Sequence, residues 1–115
     1  MCHVLIIEDE SFIAMDLQEI LQAEGATSFA FANSEDEAIA SAIEHRPAVI
    51  TSDVKLTSGT GPAAIRKIYD RLGTIPVIFI TGTPEDCTPC EPPGVILGKP
   101  VNARAVAAAF HDFQD

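Results

Sequence analysis

The sequence predicts an α/β fold, a doubly wound parallel sheet of five strands with helices on both faces. Three observations carry this. Short apolar runs alternate with helical periodicity along the chain, with no internal repeat and no interdomain linker. Most of the runs are apolar throughout, as strands buried on both faces require. Parallel strands also need right-handed crossovers between them, and the helical stretches supply these.

Val4 to Ile7 is the first run, and it leads into the acidic turn Glu8-Asp9-Glu10-Ser11. From Phe12 to Glu24 the period becomes helical, with Ile13, Leu17, Ile20 and Leu21 on one face and Gly25 as the stop. Thr27 to Ala32 is a weaker strand with Phe29 and Phe31 alternating. Ser34-Glu35-Asp36-Glu37 has the form of a capping box. The helix it opens runs to about His45, faces inward through Ala38, Ile39, Ala42 and Ile43, and cannot pass Pro47. Val49 to Ser52 is the third strand and ends at Asp53. Thr57 to Gly61 is a loop before Pro62, which opens a helix lined by Ile65, Ile68, Tyr69 and Leu72 and closed by Gly73. Val77 to Ile80 is the fourth strand, closed by Thr81. Pro84, Pro89, Pro92 and Pro93 then leave room only for a short or degraded helix. Val95 to Leu97 is the fifth strand. Asn102 can cap a last helix whose inner face is Val106, Phe110 and Phe113.

At 115 residues the chain has the size of a single domain, residues 1–115, and its 47% apolar content supplies one core without disulfides. A formal charge of −10 repels phosphate backbones and anionic lipid, so neither nucleic acid nor membrane is an expected partner. No apolar run approaches the ~20 residues of a bilayer span, and the first residues lack a basic region followed by an apolar one. Three cysteines, an odd number, fit a reducing compartment, and the expected location is the cytoplasm.

In open parallel sheets the ligand sits beyond the carboxyl ends of the strands. There the sequence places Glu8 and Asp9, Asp53, Thr81 and Lys99. Carboxylates sharing a crevice repel by about 4 kcal/mol per pair at 4 Å and an effective dielectric of 20. A hard divalent cation resolves that repulsion, and Mg²⁺ takes one or two carboxylates with water and phosphate oxygens. Lys99 adds a positive point for a phosphoryl oxygen and Thr81 a neutral donor, while a carboxylate can itself attack phosphorus. The set fits metal-assisted phosphoryl transfer to Asp53.

Over essentially its whole length the chain resembles the receiver domain of two-component response regulators. The resemblance rests on four motifs in order: "VLIIEDE", "VITSDVKLTSGTG", "VIFITG" and "GKP". It implies a flavodoxin-like sheet of order 2-1-3-4-5, with Asp53 as phosphoryl acceptor and Mg²⁺ as cofactor. Asp9 would bind the metal directly, Glu8 mainly through water, and Lys55 through its backbone carbonyl. Thr81 and Lys99 would contact the phosphoryl group, and the bond from Lys99 to Pro100 is typically cis. The implied donor is a histidine kinase or a histidine phosphotransfer protein. A stand-alone receiver without an effector domain is expected, acting through a protein target of the phosphorylated form. It would be a switch with self-catalysed phosphotransfer and hydrolysis only, not a metabolic enzyme.

The chain departs from the family at Ile96, where many receivers carry an aromatic, and in the short proline-rich interval between Thr81 and Lys99. Movement of Thr81 is therefore expected to pass to the loop beginning at Gly82, and that loop, Ile96 and the last helix to meet the partner. Lys55, two residues past the acceptor, either influences access to the phosphoryl group or is a plain surface lysine. Two alternatives share parts of this pattern. A haloacid-dehalogenase-like Mg²⁺ phosphatase would need a D-x-D after the first strand, which is missing. A flavodoxin-like FMN carrier would need a phosphate loop where Glu8, Asp9 and Glu10 stand. Cys87 and Cys90 form a C-x-x-C outside any redox context, and Cys2 is incidental. His3, His45 and His111 read as scattered surface residues.

Overall fold

The fold is described from a computed structural model covering residues 2–56, 58–82 and 94–114. Five strands, β1 (His3–Ile7), β2 (Ser28–Ala32), β3 (Val49–Ser52), β4 (Val77–Thr81) and β5 (Gly94–Gly98), form one parallel sheet of order β2-β1-β3-β4-β5. Among the described residues four helices cover it, α1 (Ser11–Ala23), α2 (Glu35–Glu44), α3 (Gly61–Leu72) and α4 (Ala103–Gln114). This is the flavodoxin-like architecture that the sequence implies.

Strand side chains alternate across the sheet, so its apolar interior forms two layers rather than one core. Leu5, Ile7, Ile50, Val77 and Phe79 pack with Ala38, Ala42, Ala64, Ile65 and Ile68 of α2 and α3. Val4, Ile6, Val49, Ile78 and Ile80 pack with Leu17 and Leu21 of α1 and Val106 and Phe110 of α4. Three helix starts carry side-chain caps, Ser34 and Asn102 as the sequence predicts and Thr60 from within the expected loop. Ser34 accepts from the Glu37 N–H at 3.2 Å, Thr60 from Ala63 at 3.2 Å, and the Asn102 Oδ1 from Ala105 at 3.0 Å. Glu37 reaches back to the Asn33 N–H at 3.0 Å, one residue before the cap. Gly25 and Gly73 end α1 and α3 at φ 111° and 83°, which L side chains rarely adopt.

Several sequence readings change. Ile43 is 42% exposed, because Ala38 and Ala42 take the inner line of α2 with Ile39 beside them. Phe29 packs on the α1/α4 layer, but Phe31, on the same side of β2, is 48% exposed at the end of an edge strand. The histidines are not all scattered. His3 and His45 stack with ring centroids 3.6 Å apart and planes within 7°. The His3 Nδ1 meets the Ser28 Oγ at 2.7 Å, and its buried Nε2 has no partner among the described residues. Burial, and then the neighbouring His45, push His3 below the usual histidine pKa. The two rings meet because β1 pairs with β3, which brings the turn after α2 beside His3. Cys2 is buried.

The expectation of a degraded helix between β4 and β5, and the Cys87/Cys90 pair, lie outside the described residues. No helix among the described residues is long and apolar enough to cross a membrane.

Candidate functional site

Backbone hydrogen bonds at the strand ends assemble the site. The Asp53 N–H donates to the Ile7 carbonyl at 2.9 Å, the Glu8 N–H to Ala32 at 2.9 Å, and the Lys99 N–H to Thr81 at 2.8 Å. Because β1 and β3 are neighbours, the acidic turn after β1 stands one strand spacing from Asp53, about 4.8 Å. The sequence-predicted residues from the ends of four strands, β1, β3, β4 and β5, thus converge on one end of the sheet.

Asp53 is 8% exposed. Its Oδ1 accepts from the Val54 N–H at 2.7 Å and its Oδ2 from the Lys99 ammonium at 3.0 Å. The same ammonium lies 3.3 Å from Glu8 and 3.8 Å from Glu10, so one cation serves three carboxylates. Burial works against the charge of Lys99, yet the bond to Asp53 and the charges of Glu8 and Asp53 outweigh it and hold the pKa above the usual lysine value. Among the described residues Glu8 is the most enclosed acid, its side chain 1% exposed. Burial, reinforced by the Asp53 charge, pushes its pKa up to about 7, against the Glu10 N–H and Lys99, which both favour the carboxylate.

Asp9 is exposed, and its carboxylate, with those of Glu8 and Glu10, offers oxygens within 4.8 Å of one another. An all-oxygen, anionic donor set of this kind suits a hard divalent cation and offers nothing to a soft one. Thr81 is buried at the end of β4, held to Lys99 through the backbone. Lys55 follows Asp53 in the β3–α3 loop, where it pairs with Thr60 as an isolated antiparallel bridge. The Lys99-Pro100 bond is cis.

Two site residues escaped the sequence reading. Glu10 joins the acid cluster and faces Lys99, and the only signal was the third acid of the Glu8-Asp9-Glu10 run. Gly61 is more than a loop glycine. A Cβ there would lie 1.9 Å from the Asp53 carbonyl oxygen and 2.3 Å from the Ser52 Oγ, so only glycine lets α3 start against Asp53. The Gly61 N–H closes this approach by donating to Val54 at 2.8 Å. Glycine before proline in the sequence gave no hint of what it touches.

A five-stranded parallel sheet in this order, with an enclosed aspartate, an acid cluster and a lysine at its carboxyl end, is the frame of a receiver-type signalling domain. Residues 4–92 match the family model described as the response regulator receiver domain, and the chain belongs to that family. Over 113 residues it is 36% identical to the phyllosphere-induced regulator PhyR of Methylorubrum extorquens, covering 94% of this chain and 42% of that protein. The receiver domain of PhyR from Erythrobacter litoralis, solved by NMR, superposes with a TM-score of 0.87 at 26% identity, over 98% of this chain and 89% of that one. The crystal structure of the anti-anti-sigma factor PhyR from Bartonella quintana gives 0.82 at 32% identity, over 98% of this chain and 47% of that one. The chain spans less than half the length of the curated relatives it matches. Family membership sets aside the phosphatase and flavin-carrier alternatives.

Proposed function

We propose that this chain is the phosphoryl-accepting switch of a two-component system or phosphorelay, with Asp53 as the acceptor. The observation that carries the reading is the setting of Asp53. It is an enclosed carboxylate with one oxygen fixed by a backbone N–H and the other by Lys99, beside a three-carboxylate cluster on the adjacent strand end. In the transfer an Asp53 oxygen attacks the phosphorus of a phosphohistidine, the P–N bond breaks as the new P–O bond forms, and the donor imidazole leaves with its electron pair. The phosphoryl group displaces Lys99 from Asp53 Oδ2 and becomes its new anionic partner, while the Thr81 hydroxyl donates to another phosphoryl oxygen. Asp9, Asp53 and the Lys55 carbonyl would hold Mg²⁺, with Glu8 acting through water. Bound there, the ion neutralises charge on the transferring phosphoryl oxygens.

The donor is a histidine kinase or a histidine phosphotransfer protein. Phe12, 84% exposed, and Met15, 60% exposed, lie on α1 just past the acid cluster, the kind of apolar surface on which a donor could dock beside the site. Output runs through protein contact rather than DNA. The formal charge of −10 and the likeness to proteins described as anti-anti-sigma factors both support this. The domain performs no chemistry beyond its own phosphorylation and its own hydrolysis, acts in the cytoplasm, and forms one unit over residues 1–115. Mass measured after incubation with Mg²⁺ and acetyl phosphate tests the reading. One added phosphoryl group is expected on the wild type and none on Asp53→Ala, and equal labelling of the two would refute the assignment.

A further inference from the structure

The β3–α3 loop, which carries Lys55 and joins Asp53 to α3, is tied down from outside the site by the first residue of α2. The Glu35 N–H donates to the Ser58 carbonyl at 3.0 Å, next to an isolated parallel bridge between Ser34 and Ser58. The Glu35 side chain, 17% exposed, pairs with the Lys67 ammonium of α3 at 2.6 Å, and Lys67, with a smaller contribution from the Thr60 N–H, holds its pKa below the usual glutamate value. Gly59 sits against it at φ 83°, so close that a Cβ there would lie 2.6 Å from the Glu35 Cβ and 2.3 Å from its Oε2. The anchored residues are the partners of the site: Thr60 bridges Lys55, and Gly61 donates to Val54 and abuts the Asp53 carbonyl. An unbroken line of backbone contacts therefore runs from one exposed ion pair to the acceptor.

We propose that Glu35 is a positioning residue of the phosphoryl site, a clamp that, braced by Lys67, holds the β3–α3 loop where the Lys55 carbonyl and the Asp53 backbone are set for metal and phosphoryl binding. The proposal rests on the phosphoryl-accepting reading. It differs from a capping role, which Glu37 in the same turn of α2 fills: its side chain accepts from the Asn33 N–H and its N–H donates to Ser34.

The test compares Glu35→Ala, Glu35→Gln and Glu37→Ala in two measurements. The first is amide hydrogen exchange at Thr60 and Gly61 in metal-free protein, and the second is calorimetric titration with Mg²⁺ alone. Partners that orient metal ligands from outside typically change affinity by 10- to 100-fold, and at the lower end Glu35→Ala should weaken Mg²⁺ binding about tenfold. It should also speed Thr60 and Gly61 exchange by a similar factor. Glu35→Gln, which keeps an acceptor for Thr60 and loses the charge facing Lys67, should fall between. Glu37→Ala should lower the melting temperature with both measurements unchanged. Wild-type exchange and affinity in Glu35→Ala would overturn the clamp, and faster exchange with unchanged affinity would overturn its positioning role. If the wild type takes up neither Mg²⁺ nor a phosphoryl group from acetyl phosphate, the phosphoryl-accepting reading itself fails, and Thr60 exchange still shows whether the clamp exists.

Discussion

Two strand-to-helix junctions meet at the carboxyl end of the sheet, and they are built in opposite ways. After β1, three acids follow one another, Asp9 and Glu10 stay exposed, and α1 begins at Glu10 with no side-chain cap. After β3 a single acid is enclosed, α3 is capped by Thr60, Gly61 wedges the helix against the acceptor, and Glu35 ties the loop down. One junction concentrates negative charge with little local support. The other spends its hydrogen bonds on fixing one carboxylate. Under the proposed function, the contrast teaches that a cation-collecting site gains from adjustable ligands, whereas a nucleophile gains from being held.

Lys99 serves both junctions, so its removal should give the largest effect. Breaking an enclosed ion pair costs roughly 3–5 kcal/mol. Since the Lys99 side chain is 17% exposed, Lys99→Met should lose about 3 kcal/mol in chelator by denaturant melt, with part of the loss restored by Mg²⁺. Unchanged stability would show that the two junctions are independent. Gly61→Ala probes the fixed side alone. Overpacking costs about 1–3 kcal/mol, and a backbone oxygen 1.9 Å away puts this substitution at the upper end. Gly82→Ala is the paired control, since a Cβ at Gly82 meets nothing within 4 Å and should leave stability unchanged.

The loose side is tested with the ion. At ten times the dissociation constant, a ligand stabilises by about 1.4 kcal/mol. Mg²⁺ should raise the wild-type melting temperature accordingly. Asp9→Asn should lose that increase and be no less stable than wild type in chelator, because it removes one of three mutually repelling charges. A retained Mg²⁺ response would remove Asp9 from the ligand set. The smallest contrast lies in the caps. Thr60→Ala should cost about 1 kcal/mol in a chemical melt, against a few tenths at most for Glu10→Ala, which has no cap bond to lose. Equal costs would mean that α1 is held as firmly as α3.

Much of this was legible in the chain. Strand ends could be read because apolar runs stop abruptly at Ile7 and Ile80 and the third strand gives way to Asp53 after Ser52, and the candidate residues lie at or just beyond these ends. What stayed hidden depends on approach rather than pattern. Gly61 reads as a loop residue until Asp53 is found against it, and Glu35 reads as an intervening position of a capping box until Ser58, Gly59 and Lys67 close around it. Phe31 and Ile43 show the same limit from the apolar side. Periodicity states which residues share a face, not how far the covering helix extends over it. His3 and His45 could not be paired from sequence because their contact is made by the register of β1 on β3.

The bond from the Asp53 N–H to the Ile7 carbonyl makes the acceptor the terminal rung of the central ladder. Opening that rung separates Asp53 from Glu8 and Asp9, so site assembly and sheet closure are a single cooperative event. A newly made or damaged copy with an open sheet holds the same acids but does not bring them together. Under the proposed function, such a copy would not draw phosphoryl groups away from intact molecules. The fold would then act as its own quality control on the signal, admitting only finished chains to the pool that is charged.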